Sequence, residues 1–209
     1  MRPVSLVIVY VFIFSLCWTV GGADEKGAAG GSKDAAAFQG KTLAEWKEQL
    51  NDKSEFVRLS AAVALGECGP KAVPTLVGAL NHQDATVRYW AAKGLGKAGP
   101  DAKSAIPGLI KAPNDPCESV QVVAANALWR LGEKTKGMAG LIEGTKAQSA
   151  GARLAAVNNL CLIGADAKEA LPAVKEAAEV KSDDYVQDYV VRKANFFQKL
   201  LGAKQSLEE

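Results

Sequence analysis

The stretch Val57-Arg58-Leu59-Ser60-Ala61-Ala62-Val63-Ala64-Leu65-Gly66-Glu67-Cys68-Gly69-Pro70 returns as Val87-Arg88-Tyr89-Trp90-Ala91-Ala92-Lys93-Gly94-Leu95-Gly96-Lys97-Ala98-Gly99-Pro100. Fainter copies run from Val120-Gln121 to Gly132 and from Ala152-Arg153 to Gly164, so the closing glycines Gly69, Gly99, Gly132 and Gly164 recur at a period near thirty. One unit of that length cannot bury its apolar face alone; it needs neighbours to complete a core, and such a period indicates stacked helix pairs.

Counting from Val57, Val87, Val120, Ala152 and Val186, apolar residues fall at +4, +8 and +11: Ala61, Leu65, Cys68; Ala91, Leu95, Ala98; Ala124, Leu128, Leu131; Ala156, Leu160, Ile163; Val190, Ala194, Phe197. That spacing places them on one buried face of a second helix in each unit. Three residues before each origin stand Ser54, Asp84, Cys117, Ser149 and Asp183, four of which can accept the unpaired amide protons of a helix start. Glycine ends each of the first four second helices, with Pro70 and Pro100 behind two of them.

First helices follow a looser pattern. Their apolar sets are Leu43, Trp46, Leu50; Val73, Leu76, Val77, Leu80; Ile106, Leu109, Ile110; Leu141, Ile142; and Leu171, Val174, Ala178, with Pro74, Pro107 and Pro172 early, where a missing amide costs nothing. The Ala112-Pro113-Asn114-Asp115-Pro116-Cys117 turn is longer and stiffer and is expected to project from the edge of the array. The last unit, Leu171 to about Leu201, is more charged and more aromatic, as a capping repeat should be.

These residues resemble HEAT repeats, in particular the short bacterial HEAT-like kind also seen in phycobilisome lyases. The likeness rests on Asp84-x-x-Val87-Arg88-x-x-Ala91-Ala92-x-x-Leu95-Gly96 and covers roughly residues 41–200. It implies an all-α fold, a right-handed α-solenoid of about five HEAT-like helical hairpins. By the same resemblance, Arg58, Arg88 and Arg153 hydrogen-bond along the stack towards turn residues such as Asp84, while Gln121 and Gln187 interrupt the arginine series.

Residues Val4 to Val20 are almost unbroken apolar, preceded by Arg2 and followed by Gly21-Gly22-Ala23, the layout of a secretory signal cleaved after Ala23. The competing reading is a retained anchor, since the run reaches the lower limit of about 17 residues for a spanning helix. The expected division is residues 1–23 as signal, 24–40 as a Gly- and Ala-rich flexible linker, 41–202 as the solenoid and 203–209 as a disordered tail. Localisation follows as secreted or in the periplasm or cell envelope of a bacterium, with membrane association only through a retained leader.

The whole chain carries 25 basic and 23 acidic residues, and removal of the leader takes away Arg2 alone. So balanced a chain exerts no long-range pull on nucleic acid, which is not expected as a partner. Cys68, Cys117 and Cys161 survive cleavage, an odd and widely spaced set that reads as free thiols, with one pairing left open.

Catalytic signals are sparse. His82 is the only histidine, in the Asn81-His82-Gln83-Asp84 turn, where solvent exposure is expected. HEAT-like deoxyhypusine hydroxylases need several His-Glu pairs for iron, so that activity does not transfer. The glycines noted fall at helix ends or in the linker rather than in a phosphate loop. No metal, cofactor or catalytic residue is expected.

What remains is the row opposite the buried stripe, at +2, +6 and +9, expected to line the concave surface. It reads Leu59, Val63, Gly66; Tyr89, Lys93, Gly96; Val122, Asn126, Trp129; Leu154, Asn158, Cys161; Asp188, Arg192, Asn195, with Trp90 one step round. Apolar exposure flanked by Tyr, Trp, Asn and Lys suits a protein or peptide partner. The candidate partner-binding residues are therefore Leu59, Tyr89, Lys93, Val122, Asn126, Trp129, Leu154 and Asn158. The rival reading packs these residues against neighbouring second helices. Two further readings remain: an accessory to pigment chemistry, with a tetrapyrrole held in the groove by Cys161 as the lyase resemblance implies, and a self-associating array of unknown oligomeric state.

Overall fold

A computed structural model describes residues 37–208 apart from Asp183, with side chains over 38–202. The proposed signal and most of the proposed linker lie outside the described residues. Those described fall within one compact unit, Ala35–Glu209. No helix among them is long and apolar enough to cross a membrane.

The chain opens with a hairpin, β1 (Ala37–Phe38) and β2 (Lys41–Thr42), turned by Gln39 and Gly40, both at positive φ as a two-residue primed turn requires. Helix α1 (Leu43–Gln49) starts at Thr42, whose hydroxyl accepts the Glu45 amide proton while the Glu45 carboxylate accepts from the Thr42 amide. Trp46 is buried and its indole N–H donates to the Phe38 carbonyl at 3.1 Å. The folded part therefore begins earlier than residue 41. Phe38, the one aromatic in a polar stretch, packs onto the core and draws its neighbours in with it.

Second helices α2 (Glu55–Glu67), α4 (Ala85–Ala98), α6 (Glu118–Arg130), α8 (Ala150–Ile163) and α10 (Tyr185–Glu208) pack in series. First helices α3 (Val73–Ala79), α5 (Ile106–Leu109), α7 (Lys134–Gly144) and α9 (Leu171–Glu179) alternate with them. This is the α-solenoid of helical hairpins. Helix α10 continues through residues 203–208, where a disordered tail is expected from the sequence.

The stripe at +4 and +8 is buried in all five units, down to Val190 and Ala194 in the last. At +11, Cys68, Ala98 and Ile163 are half-buried, because they lie where the helix turns out of the stack. Gly69, Gly99, Gly132 and Gly164 all take positive φ. After three of them a 3-10 segment (Gly69–Ala72, Gly99–Ala105, Gly164–Ala170) leads into a first helix with proline at its start. Gly132 leads almost directly into α7, which has no proline at its start.

Of the predicted helix caps, only Asp84 accepts through its side chain, from the Thr86 amide at 2.8 Å. Ser54 and Ser149 instead have their own amides held, by Asp52 and by Glu118 respectively, and Asp183 lies outside the described residues. Asp184 accepts from Val186 at the start of the last helix.

The interior is two clusters rather than one. The first runs from Trp46 to Leu131 and the second from Val122 to Phe197, and they meet across α6. That helix sends Val123, Ala124, Ala127 and Leu128 to one and Val122 and Ala125 to the other. Glycines inside helices permit the closest approaches. A Cβ on Gly137 would stand 2.5 Å from the Trp129 nitrogen, and one on Gly94 would stand 2.8 Å from the Gly66 Cα. Not every glycine is therefore a terminator; these are spacers where backbones touch.

Candidate functional site: the second-helix face

The arginine ladder runs along the edge of the face and fixes its geometry. Arg58 donates to the carbonyls of Asp52 and Lys53 in its own turn and to the Asp84 carboxylate of the next, 2.7 Å away. Arg88 does the same with His82 and Gln83 and then grips Asp115 with both arms, at 2.7 and 2.8 Å. Arg153 holds Ala147 and Gln148 and reaches the Gln187 carboxamide oxygen at 3.1 Å. The glutamines do not break the series. Gln121 donates to the Asp115 carbonyl, Gln187 donates to the Ala177 carbonyl, and the step lacking arginine is bridged by Glu118, which accepts the Gln148 and Ser149 amides.

Burial alone would raise the Asp84 and Asp115 carboxyls, but the hydrogen bonds and charge of Arg58 and Arg88, with backbone N–H groups, hold both below the ordinary range. The Asp115 turn is thereby tied to α4 and does not project. His82 is half-buried rather than exposed: its Nδ1 accepts the Asp84 amide at 3.0 Å, and its Nε2 is enclosed without a partner. Two cavities of about 350 and 450 Å³ open beside it, sharing Asn81 and His82. Neither is lined by any of the eight predicted partner-binding residues.

Those eight divide between two faces. The +9 row points at the following element: the Cβ direction of Gly66 meets Gly94, that of Gly96 meets Ala127, Trp129 lies against Gly137, and the Cys161 thiol donates to the Lys193 carbonyl. The +2 row leans the same way. Val122 is only 2% exposed and belongs to the second core cluster, so its predicted exposure is overturned: it fills the contact with Gly144. Leu59, Tyr89, Trp129 and Leu154 are half-buried, with Tyr89, Trp129 and Leu154 packed against the core clusters.

The solvent side of these helices is instead centred on +10, exposed in every unit, and shared by −1 and +6, while +3 varies: Tyr189 is exposed, Trp90 is half-buried against the first core cluster and Val123 is buried. It holds Lys93, Asn126 and Asn158 from the predicted set and adds Trp90, Tyr189, Arg192, Leu162 and Phe196. A wheel drawn on one buried stripe misses this, because a helix inside a stack also buries its flanks against both neighbours.

The face has a repeated chemistry. At +3 and +6 in the second unit, Lys93 sits 4.2 Å above the Trp90 ring, and Tyr89 meets the same ring edge-on at 5.7 Å. At the same positions in the last unit, the Arg192 guanidinium lies 5.5 Å from the Tyr189 ring. Tyr189 is 49% exposed and Phe196 54%. Burial pulls the Lys93 ammonium below its usual value, against the opposing pull of Glu67.

Cys68, Cys117 and Cys161 are free thiols. Burial pushes the Cys161 thiol up and makes it a poorer nucleophile, with Lys193 opposing the shift. Among the described residues no three His, Cys, Asp or Glu side chains are grouped to hold a metal.

Comparison with known proteins agrees with this architecture. The HEAT repeats family model matches residues 43–112. A chain from the complex of CpcE and CpcF of phycocyanin lyase from Nostoc sp. PCC7120 is similar with a TM-score of 0.55 at 19% identity, covering 72% of this chain and 96% of that one. Two engineered proteins match at TM-scores of 0.48 and 0.44, each 19% identical, over 76% and 77% of this chain and 80% and 79% of theirs. No curated protein matches by sequence. The class so defined is a helical-repeat scaffold; its first two units carry the HEAT match, and the fold beyond them resembles that of HEAT-repeat solenoids.

Proposed function

We propose that this protein is an exported scaffold, secreted or held in a bacterial cell envelope, that docks a protein partner on the solvent face of its second helices and acts by binding rather than by catalysis. The observation that carries this reading is the recurrence of an aromatic-cation pair at the same two repeat positions, Trp90 with Lys93 and Tyr189 with Arg192, on a face that also leaves Phe196 and Leu162 in solvent. Tyr189 is exposed, and Trp90, half-buried against the core, offers its remaining surface beside exposed Lys93; aromatics and cations of this kind supply much of the binding energy at interfaces. The similar solved chain was captured in a complex with a second chain, which fits this use of the fold. At 19% identity that likeness carries no chemistry across.

The test is site-specific photo-crosslinking in the native host, with the reactive side chain at Lys93 and, as control, at exposed Lys175 on α9. One protein is expected to be captured from position 93 and not from 175. Equal capture from both, or from neither, removes the docking reading. Sequencing the mature N-terminus in the same preparation checks export, with Asp24 expected first.

A further inference from the structure

The docking reading above leaves the partner's chemistry open, and the middle of the same face specifies it. Between the two aromatic-cation pairs, the +6 position of the third and fourth units is asparagine, Asn126 and Asn158. Both are half-buried at the solvent face, and neither side chain makes a hydrogen bond within the protein; neighbouring Asn159, by contrast, is tied to the Ala155 carbonyl. At the two ends, Lys93 and Arg192 are cations over rings, and among the described residues neither is within ion-pair distance of a carboxylate; Glu67, whose charge acts on Lys93, is paired to Lys97.

A carboxamide presents donors and an acceptor together, the complement of a peptide group, which also has both. Nucleic-acid binding rests on several cations neutralising phosphates, and this row has only Lys93 and Arg192, far apart with two neutral amides between them, which favours a polypeptide. Adjacent helix axes lie about 8–10 Å apart, and an extended chain advances about 3.3 Å per residue. Roughly three residues therefore span one helix step, and on the order of ten reach from α4 to α10. We propose that this face binds an acidic segment of a partner in extended conformation, its main chain bonded to Asn126 and Asn158 and its carboxylates drawn to Lys93 and Arg192.

The experiment uses the full chain and fluorescence anisotropy with three probes: a labelled twelve-residue peptide rich in glutamate, the same peptide with lysine for glutamate, and single-stranded oligothymidine of equal length. The glutamate peptide should bind most tightly and weaken as salt is raised. Asn126→Ala with Asn158→Ala should raise its Kd by about tenfold with unchanged helical circular dichroism, while Lys175→Ala leaves it unmoved. Binding of the lysine peptide or of oligothymidine at least as tight as the glutamate peptide overturns the assignment. So does absence of binding by any probe. In that last case continued crosslinking from position 93 keeps the docking reading, so the two failures are told apart.

Discussion

At the scale of single residues the ladder is the most consequential feature, since each guanidinium satisfies carbonyls of its own turn and an acceptor of the next. Asp115 is the tightest link, held bidentately by Arg88 with both side chains largely buried. Asp115→Asn should cost about 1–3 kcal/mol at neutral pH, read from urea denaturation. The pH dependence follows from the depressed carboxyl. The unfolded chain takes up a proton near the ordinary value of about 3.9, above the folded value, so this stabilisation is complete above that pH and is lost as pH falls through the folded pKa. The variant should therefore lose less stability than the parent as the pH falls below about 4. An unchanged acid limb would remove Asp115 from the account. Asp84 was legible in the sequence because it opens the repeat motif. Asp115 was not, because the prolines around it shift it one place: it follows Arg88 by 27 residues, where Asp84 follows Arg58 by 26.

At the scale of elements, the second helices could be read from their stripe because +4 and +8 are occupied by apolar residues in every unit. Their free face could not. A stacked helix buries three sides, two of them against neighbours whose positions no single-helix pattern encodes, so the exposed row lay a step round from the predicted one. Tyr189 is missed for that reason and Trp90 is placed one step round, outside the candidate set; the signal that points to both is the cation three residues after each ring. The spacer glycines were illegible on similar grounds. Gly137→Ala places a methyl within 2.8 Å of Trp129 backbone, which cannot swing aside. Despite a helix-propensity gain of about 1 kcal/mol, it should destabilise by about 1–3 kcal/mol. Gly78→Ala, in the open on α3, should be neutral or stabilising. Urea midpoints for the pair check this, and equal shifts in the two would refute the close-packing explanation.

Over the whole molecule, stacking predicts one continuous interior, and the structure divides it at α6, the helix that precedes the connection lacking a 3-10 segment and a proline. Native-state hydrogen exchange should accordingly show two cooperative blocks, one with α2 and α4 and one with α8 and α10. Leu95→Ala should speed exchange in the first by far more than in the second; a uniform rise across all five units would mean a single cooperative body. The last unit closes the array. At +2 and +9, where other units turn Leu59, Tyr89, Val122 and Leu154, and Gly66, Gly96, Trp129 and Cys161, towards the following helix, α10 carries exposed Asp188 and Asn195. The ladder carries a consequence for how such a chain changes length over generations. Copying a full hairpin hands on a donor and an acceptor in phase, so each added copy is stitched in at once. A partial copy strands a guanidinium opposite nothing, and arrays of this kind can therefore grow or shrink only in whole steps.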